Sequence, residues 1–266
     1  MADAESAVKL AIYLVLLPPA LYCLWKHGRT GFMGWLYISG FCVLRIVTGS
    51  LGVHGGATGT ASVVLTSVGL SPLLLAIAGV HYEVRRAMNP KLNRAQELLF
   101  ETAFHALVVI GIILSTVALV HYITAKHMHI SAIKILLDVG SAMSALSWLI
   151  LTLWCVRCAL TQKSTAVGNI PCMRSARTLR IGIFIAIPLV GLRLGYSLAF
   201  LQLRISHPNS GFLRSKAAEI VLSMLPEILI VVSLLCVGVK TRCLGTDLKM
   251  QDKEARPRKS NSAELK

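Results

Sequence analysis

Charge is scarce in this chain. Only 15% of its 266 residues are Asp, Glu, Lys or Arg, where soluble domains carry about a quarter. Acids are the rarer kind, 12 against 27 basic residues. So little charge excludes a water-soluble enzyme, a DNA-binding module and a secreted disulfide scaffold. No ten-residue stretch alternates apolar with polar residues, which excludes a closed membrane barrel. No Asn-x-Ser/Thr sequon occurs.

In their place stand long apolar runs. Hydrophobic residues make up 55% of the chain and the mean hydropathy is +0.68. Seven blocks approach or reach the roughly 20 residues a helix needs to cross a bilayer core: 8–25, 32–53, 60–80, 100–122, 130–156, 179–203 and 217–239. Each must be helical, because lipid offers no partner to a free backbone amide. The expected fold is therefore an all-α membrane protein, a seven-transmembrane-helix bundle over 1–239. Beyond it, 240–266 is rich in Lys, Arg, Ser and Glu and is expected to form a disordered basic cytosolic tail.

The net charge of +15 first suggests nucleic acid, but its distribution does not. With Lys9 and Arg180, second residues of their spans, counted to the sides they adjoin, nineteen of the 27 Lys and Arg residues lie on one side of the seven spans, five on the other, and three deep inside them. By the positive-inside rule the N-terminus is outside or lumenal and the C-terminus cytosolic. The expected partners are the bilayer itself and anionic lipid at the basic cytosolic face, not nucleic acid. The location is a membrane, with the endoplasmic reticulum and the plasma membrane equally compatible. The start Met-Ala-Asp-Ala-Glu has no basic n-region, so a retained first span is expected rather than a cleaved signal.

None of the seven cysteines falls in an expected outer loop, so an outer disulfide is not expected. Cys155-x-x-Cys158 lies at the inner end of an apolar helix without a second ligand pair, and reads as packing or palmitoylation rather than metal binding. No metal or other cofactor is expected.

Ionisable residues inside spans are costly and are functional candidates by default. At about 1.5 Å of rise per residue, Arg45, Asp138, Arg193 and Glu227 all come out in one layer just outward of the midplane. Tyr196 stands one turn from Arg193 on the same face. Two readings fit this layer. It is either a pair of salt bridges tying helices together, or a polar pocket for a small molecule. Pro226, directly before Glu227, frees a carbonyl near Leu222, and Ser71-Pro72 frees another in span 3, as cavity-lining helices tolerate.

Lesser features are Lys134, four residues before Asp138, and the Glu97, Glu101 and His105 stripe, best read as a solvated helix end. Five outer histidines (His54, His121, His127, His129 and His207) lack ligand spacing. Gly140, Ser141, Ser144 and Ala145 read as a close-packing face. Aligning spans 1–3 with spans 5–7 sets Arg45 opposite Arg193 and Pro72 opposite Pro226, as a parallel duplication would, although spans 1 and 5 show no match.

The run Gly69-Leu-Ser-Pro-Leu-Leu-Leu-Ala76 carries a resemblance. Together with Arg45, Pro188, Arg193-Leu-Gly-Tyr196 and Met224-Leu-Pro226-Glu227, it resembles a fungal seven-span integral membrane family catalogued only as a domain of unknown function. The similarity covers roughly 8–238. It implies a fungal membrane protein neighbouring secondary metabolism, and it brings no defined activity or catalytic residue.

Three functions follow as alternatives. A receptor fits seven spans, but span 3 ends in His81-Tyr82-Glu83-Val84-Arg85 rather than Asp-Arg-Tyr, and span 7 lacks both Asn-Pro-x-x-Tyr and an internal Lys for retinal. A transporter fits the interrupted helices. An intramembrane enzyme or accessory protein of secondary metabolism fits the acid–base layer. Its ligand-binding residues would be Arg45, Asp138, Arg193, Tyr196 and Glu227, and its ligand a lipophilic small molecule.

Overall fold

The computed structural model describes residues 4–54, 69–89, 94–124, 130–161, 170–206 and 210–255. Among these residues there is no strand. Helix α1 spans Ala4–Val53, α2 Leu70–Met88, α3 Arg94–Thr124, α4 Ile130–Thr161 and α5 Ile170–Ser206. Two single turns, α6 (Gly211–Arg214) and α7 (Lys216–Glu219), lead through a π-helical segment at Ile220–Met224 into α8 (Leu225–Lys240). Helix α9 covers Leu244–Ala255. Five helical stretches are long and apolar enough to cross a membrane: Ala4–Val53, Ala95–Thr124, Ser131–Thr161, Cys172–Arg204 and Lys216–Lys240. They are consistent with a multi-pass membrane protein.

The first stretch is not one straight rod. Gly28 has φ 61° and ψ −152°, a conformation only glycine adopts without strain, and the chain doubles back there. Leu10 consequently packs on Gly49, and Ser6 on Gly52. The expected spans 1 and 2 are thus an antiparallel hairpin. Expected spans 4, 5 and 6 fall inside longer helices, span 7 runs through α7, the π-helical segment and α8, and of span 3 residues 60–68 lie outside the described residues.

Helix α2 is the hub. It is buried all round, from Leu70 and Ser71 to Val84 and Ala87, and packs between α1 and α5. The contact with α1 is backbone to backbone: a Cβ on Gly34 would stand 2.7 Å from the Val80 nitrogen. Helix α8 closes the group against α5 and α1. Helices α3 and α4 form a tight hairpin of their own through Gly111, Ser115, Gly140 and Ser144, the close-packing face expected of span 5. This hairpin touches α2 and α5 more lightly, which leaves a cleft between the two groups. Large apolar side chains such as Val15, Leu99, Leu153 and Ile181 face outward, as a lipid-facing surface requires.

The stretch expected to be a disordered tail begins otherwise. Helix α9 docks against α1 and α5, burying Leu244 and Leu248. Two leucines four residues apart form a stripe wide enough to hold one turn-rich helix on the bundle.

Candidate functional site

Three of the five expected site residues meet in one cluster. The Arg45 guanidinium of α1 donates through Nη2 to Glu227 Oε1 of α8, and Arg193 Nε of α5 donates to the same oxygen at 2.7 Å. Arg193 Nη1 also donates to the Ser197 hydroxyl one turn on. All three charged residues are buried, at 6%, 4% and 4% exposure for Arg45, Arg193 and Glu227. Tyr196 lies beside them, its ring centroid 5.9 Å from the Arg193 guanidinium carbon, packed on Phe200 and Phe212.

Local chain geometry sets this cluster up. In the π-helical segment, the Leu225 N–H reaches back five residues to the Ile220 carbonyl. Pro226 follows, where its missing N–H breaks no further bond of the new helix. The widened turn delivers Glu227 to the first turn of α8, facing α1 and α5. On the other side, Arg45 lies against Gly69, where any Cβ would meet its guanidinium.

Asp138 does not join. It is exposed on α4 and accepts from Gln202 of α5, nine residues and so roughly 13 Å along that helix from Arg193. Lys134, one turn away, is exposed as well. The expected common level thus holds for Arg45, Arg193 and Glu227 but not for Asp138, which also faces outward. Without Asp138 the layer is no longer neutral, because two guanidiniums share one carboxylate.

Tyr13 completes the cluster and was not expected. It is 1% exposed, stands edge-on to Phe41 at 5.6 Å, and lies within electrostatic reach of Glu227, Arg45 and Arg193. The Arg45 guanidinium covers the same Phe41 ring at 5.2 Å. Among the described residues, neither the Tyr13 hydroxyl nor Arg45 Nε has a hydrogen-bond partner, and both are buried.

The cleft beside this cluster is an open cavity of about 50 Å³. Its walls are Leu70, Ser71 and Leu74 of α2, residues of the α3–α4 hairpin including Ile112 and Thr116, and Leu194, Ser197 and Leu198 of α5. Six hydroxyl side chains line it: Ser71, Ser115, Thr116, Ser141, Ser144 and Ser197. Those of Ser115, Ser141 and Ser144 bond carbonyls of their own helices, leaving a wall of moderate polarity. Ser197 joins cleft to cluster.

A second buried acid lies at the opposite end of α2. Sequence reasoning ended span 3 at Val80 and so missed Glu83, which is fully buried. Its Oε1 faces His27 Nδ1 at 2.7 Å and its Oε2 accepts from Trp35 Nε1 at 3.1 Å. His27 Nε2 lies 3.0 Å from the Gly238 carbonyl, which can only accept, so that nitrogen carries its proton. The 2.7 Å contact then shares one further proton. Every polar atom here is matched, which marks a clamp joining α1, α2 and α8 rather than a binding site. Gly31 makes room for the carboxylate and Gly245 of α9 packs on the His27 carbonyl. The signal available in the sequence was the Gly28 turn next to a histidine.

Elsewhere, Glu97 pairs with Arg85 at 2.6 Å, and His105 bonds the Glu101 carbonyl through Nδ1 at 2.7 Å. Buried His81 packs against Trp154 with both ring nitrogens unbonded among the described residues. No group of His, Cys, Asp or Glu in those residues is arranged to hold a metal ion. Cys155 is buried and Cys158 half-buried, both as free thiols. His54 bonds the Ser50 carbonyl; His127, His129 and His207 lie outside the described residues.

No curated protein and no solved structure matches the chain. One family model does, over residues 2–244, described as Domain of unknown function (DUF7702). With that match running from the first helix into α9, the chain belongs to this family of unknown function.

Proposed function

We propose that this protein binds a lipophilic small molecule in the cleft between α2, α5 and the α3–α4 hairpin, with its polar end toward Arg193, Glu227 and Arg45. One observation carries the reading: a hydroxyl-lined cleft that shares Ser197 with a buried charged cluster. Seven crossings, an outer or lumenal N-terminus and a cytosolic C-terminus belong to the proposal, resting on the 19-to-5 division of basic residues. A product of fungal secondary metabolism, as the family resemblance implies, has the required form: an apolar skeleton oxygenated at one end.

Glu227 Oε1 accepts from both arginines and is in use as an acceptor, which favours binding and orientation over proton donation from that atom. The π-helical segment before Pro226 favours a transporter as the second reading, because such a segment is a place where a helix repacks. The full chain is purified in mild detergent and its co-purifying small molecules are identified by mass spectrometry. A lipophilic molecule held by the wild type and lost in Leu198→Trp, which fills the cleft, is the expected result. A molecule retained equally by both overturns the site. Expression beside candidate pathway enzymes then separates the roles: new product structure means an enzyme, and redistribution across the membrane means a transporter.

A further inference from the structure

We infer that the rim where α1 turns and α8 passes into α9 holds the head group of one anionic phospholipid through Lys26 and Arg242. Neither residue lines the cleft, so this site stands apart from the reading given above. Composition comes first. No Asp or Glu occurs between Glu5 and Glu83 or between Glu227 and Asp247, which leaves Lys26, Arg29, Lys240 and Arg242 without a local acid. All four are exposed, and among the described residues none has an acidic partner. Glu83 is fully buried and engaged with His27 and Trp35. The fold then brings the two stretches together. Helix α8 packs on α1, and a Cβ on Gly245 of α9 would stand 2.8 Å from the Lys26 carbonyl. Tyr22 gathers two of the cations: Lys26 Nζ lies 5.9 Å from its ring centroid, and the Arg242 side chain reaches its hydroxyl. Both are long, exposed side chains around one ring, free to turn onto one phosphate.

The surroundings point to a lipid rather than a soluble anion. Trp25 is 77% exposed at the end of α1's first limb, the level at which Trp and Tyr rings meet membrane head groups. Leu14, Leu21 and Trp25, spaced by seven and four residues, share one outward face of that limb. An apolar track for an acyl chain thus runs from the cations into the hydrocarbon region. Charge then selects among lipids. Lys26 Nζ stands 4.9 Å from the Trp25 ring centroid and covers Tyr22 as well, occupying the aromatic faces that would receive a choline. A zwitterionic head group brings a further cation to a place already cationic. An anionic one brings only acceptor oxygens, for the Arg242 fork and the Lys26 ammonium. Under the orientation proposed above, the rim lies in the cytosolic leaflet, which carries the anionic lipids. A phosphate held by both residues ties the Gly28 turn to the link that leads into α9.

The test titrates the full chain in neutral detergent with phosphatidylglycerol and, in parallel, phosphatidylcholine, counting bound lipid by native mass spectrometry. One phosphatidylglycerol is expected to bind about tenfold more tightly than phosphatidylcholine, in keeping with two cations acting at a membrane surface, and to raise the thermal midpoint. Lys26→Gln combined with Arg242→Gln is expected to lose both the preference and the rise. Arg174→Gln combined with Arg177→Gln removes the same charge from two exposed positions of α5, and is expected to keep them. Equal affinity for the two lipids overturns the anionic assignment. Equal losses in the two double variants overturn the site, because the basic face as a whole then attracts the lipid. A preference untouched by the Lys26 and Arg242 changes overturns it as well, and inorganic phosphate binding as tightly as the lipid overturns the apolar track. If the first double variant does not fold, Lys26→Gln alone is read against Arg174→Gln by the same outcomes.

Discussion

Two buried glutamates illustrate how the same side chain takes opposite roles. Glu83 shares a proton with His27 and accepts from Trp35. A glutamine there is able to donate its amide to a neutral His27 and still accept from Trp35. Glu83→Gln is therefore expected to change stability by no more than about 1 kcal/mol, the net worth of one hydrogen bond. Glu227→Gln strands two guanidiniums, and an uncompensated buried charge costs about 3–5 kcal/mol. Thermal unfolding in detergent, followed by tryptophan fluorescence, separates the two. Equal drops in the midpoint would mean that Glu83 holds its site by charge and not by a shared proton.

At the scale of elements, positions without side chains do the joining. Gly28 turns α1 back on itself, and Gly34 lets α1 and α2 meet through their backbones. Helix α9 is the outermost addition, seated by Leu244, Gly245 and Leu248 over the Gly28 turn of α1, beside His27. Ending the chain after Cys243 is expected to destabilise the protein by about 1.5–3 kcal/mol for each buried leucine lost. Ending it after Ala255 should leave the midpoint in place. Unfolding curves of the two truncations check this, and coincident curves would show that α9 contributes nothing to the fold.

Taken whole, the molecule is a closely packed group, α1, α2, α5 and α8, with the α3–α4 hairpin leaning on it and a cleft between them. The charged cluster lies within the packed group and touches the cleft through Ser197, so relative movement of the hairpin would widen the cleft without breaking the Arg–Glu–Arg contacts. Orientation belongs to this scale. A glycosylation reporter fused after Lys266 is expected to stay unmodified and one placed before Met1 to be glycosylated. The reverse pattern would put the basic faces of the helices outside and overturn the assignment from Lys and Arg.

Composition and apolar run length alone determined the helical, membrane-crossing class, because a bilayer admits no other use of such segments. Counting residues along each span also sufficed to set Arg45, Arg193 and Glu227 at one depth, since rise per residue is constant. Tertiary structure decided which of them meet. In lipid both the packed and the outward faces of a helix are apolar, so no periodicity distinguished Asp138, turned outward, from Glu227, turned inward. The same lack of contrast hid Tyr13, whose hydroxyl matters only because Phe41 and Arg45 come to lie beside it. Glu83 went unseen because α2 continues eight residues past Val80, with its charge cancelled by a histidine 56 positions earlier. Pairing across such a distance exists only once the Gly28 turn has brought α1 back against α2.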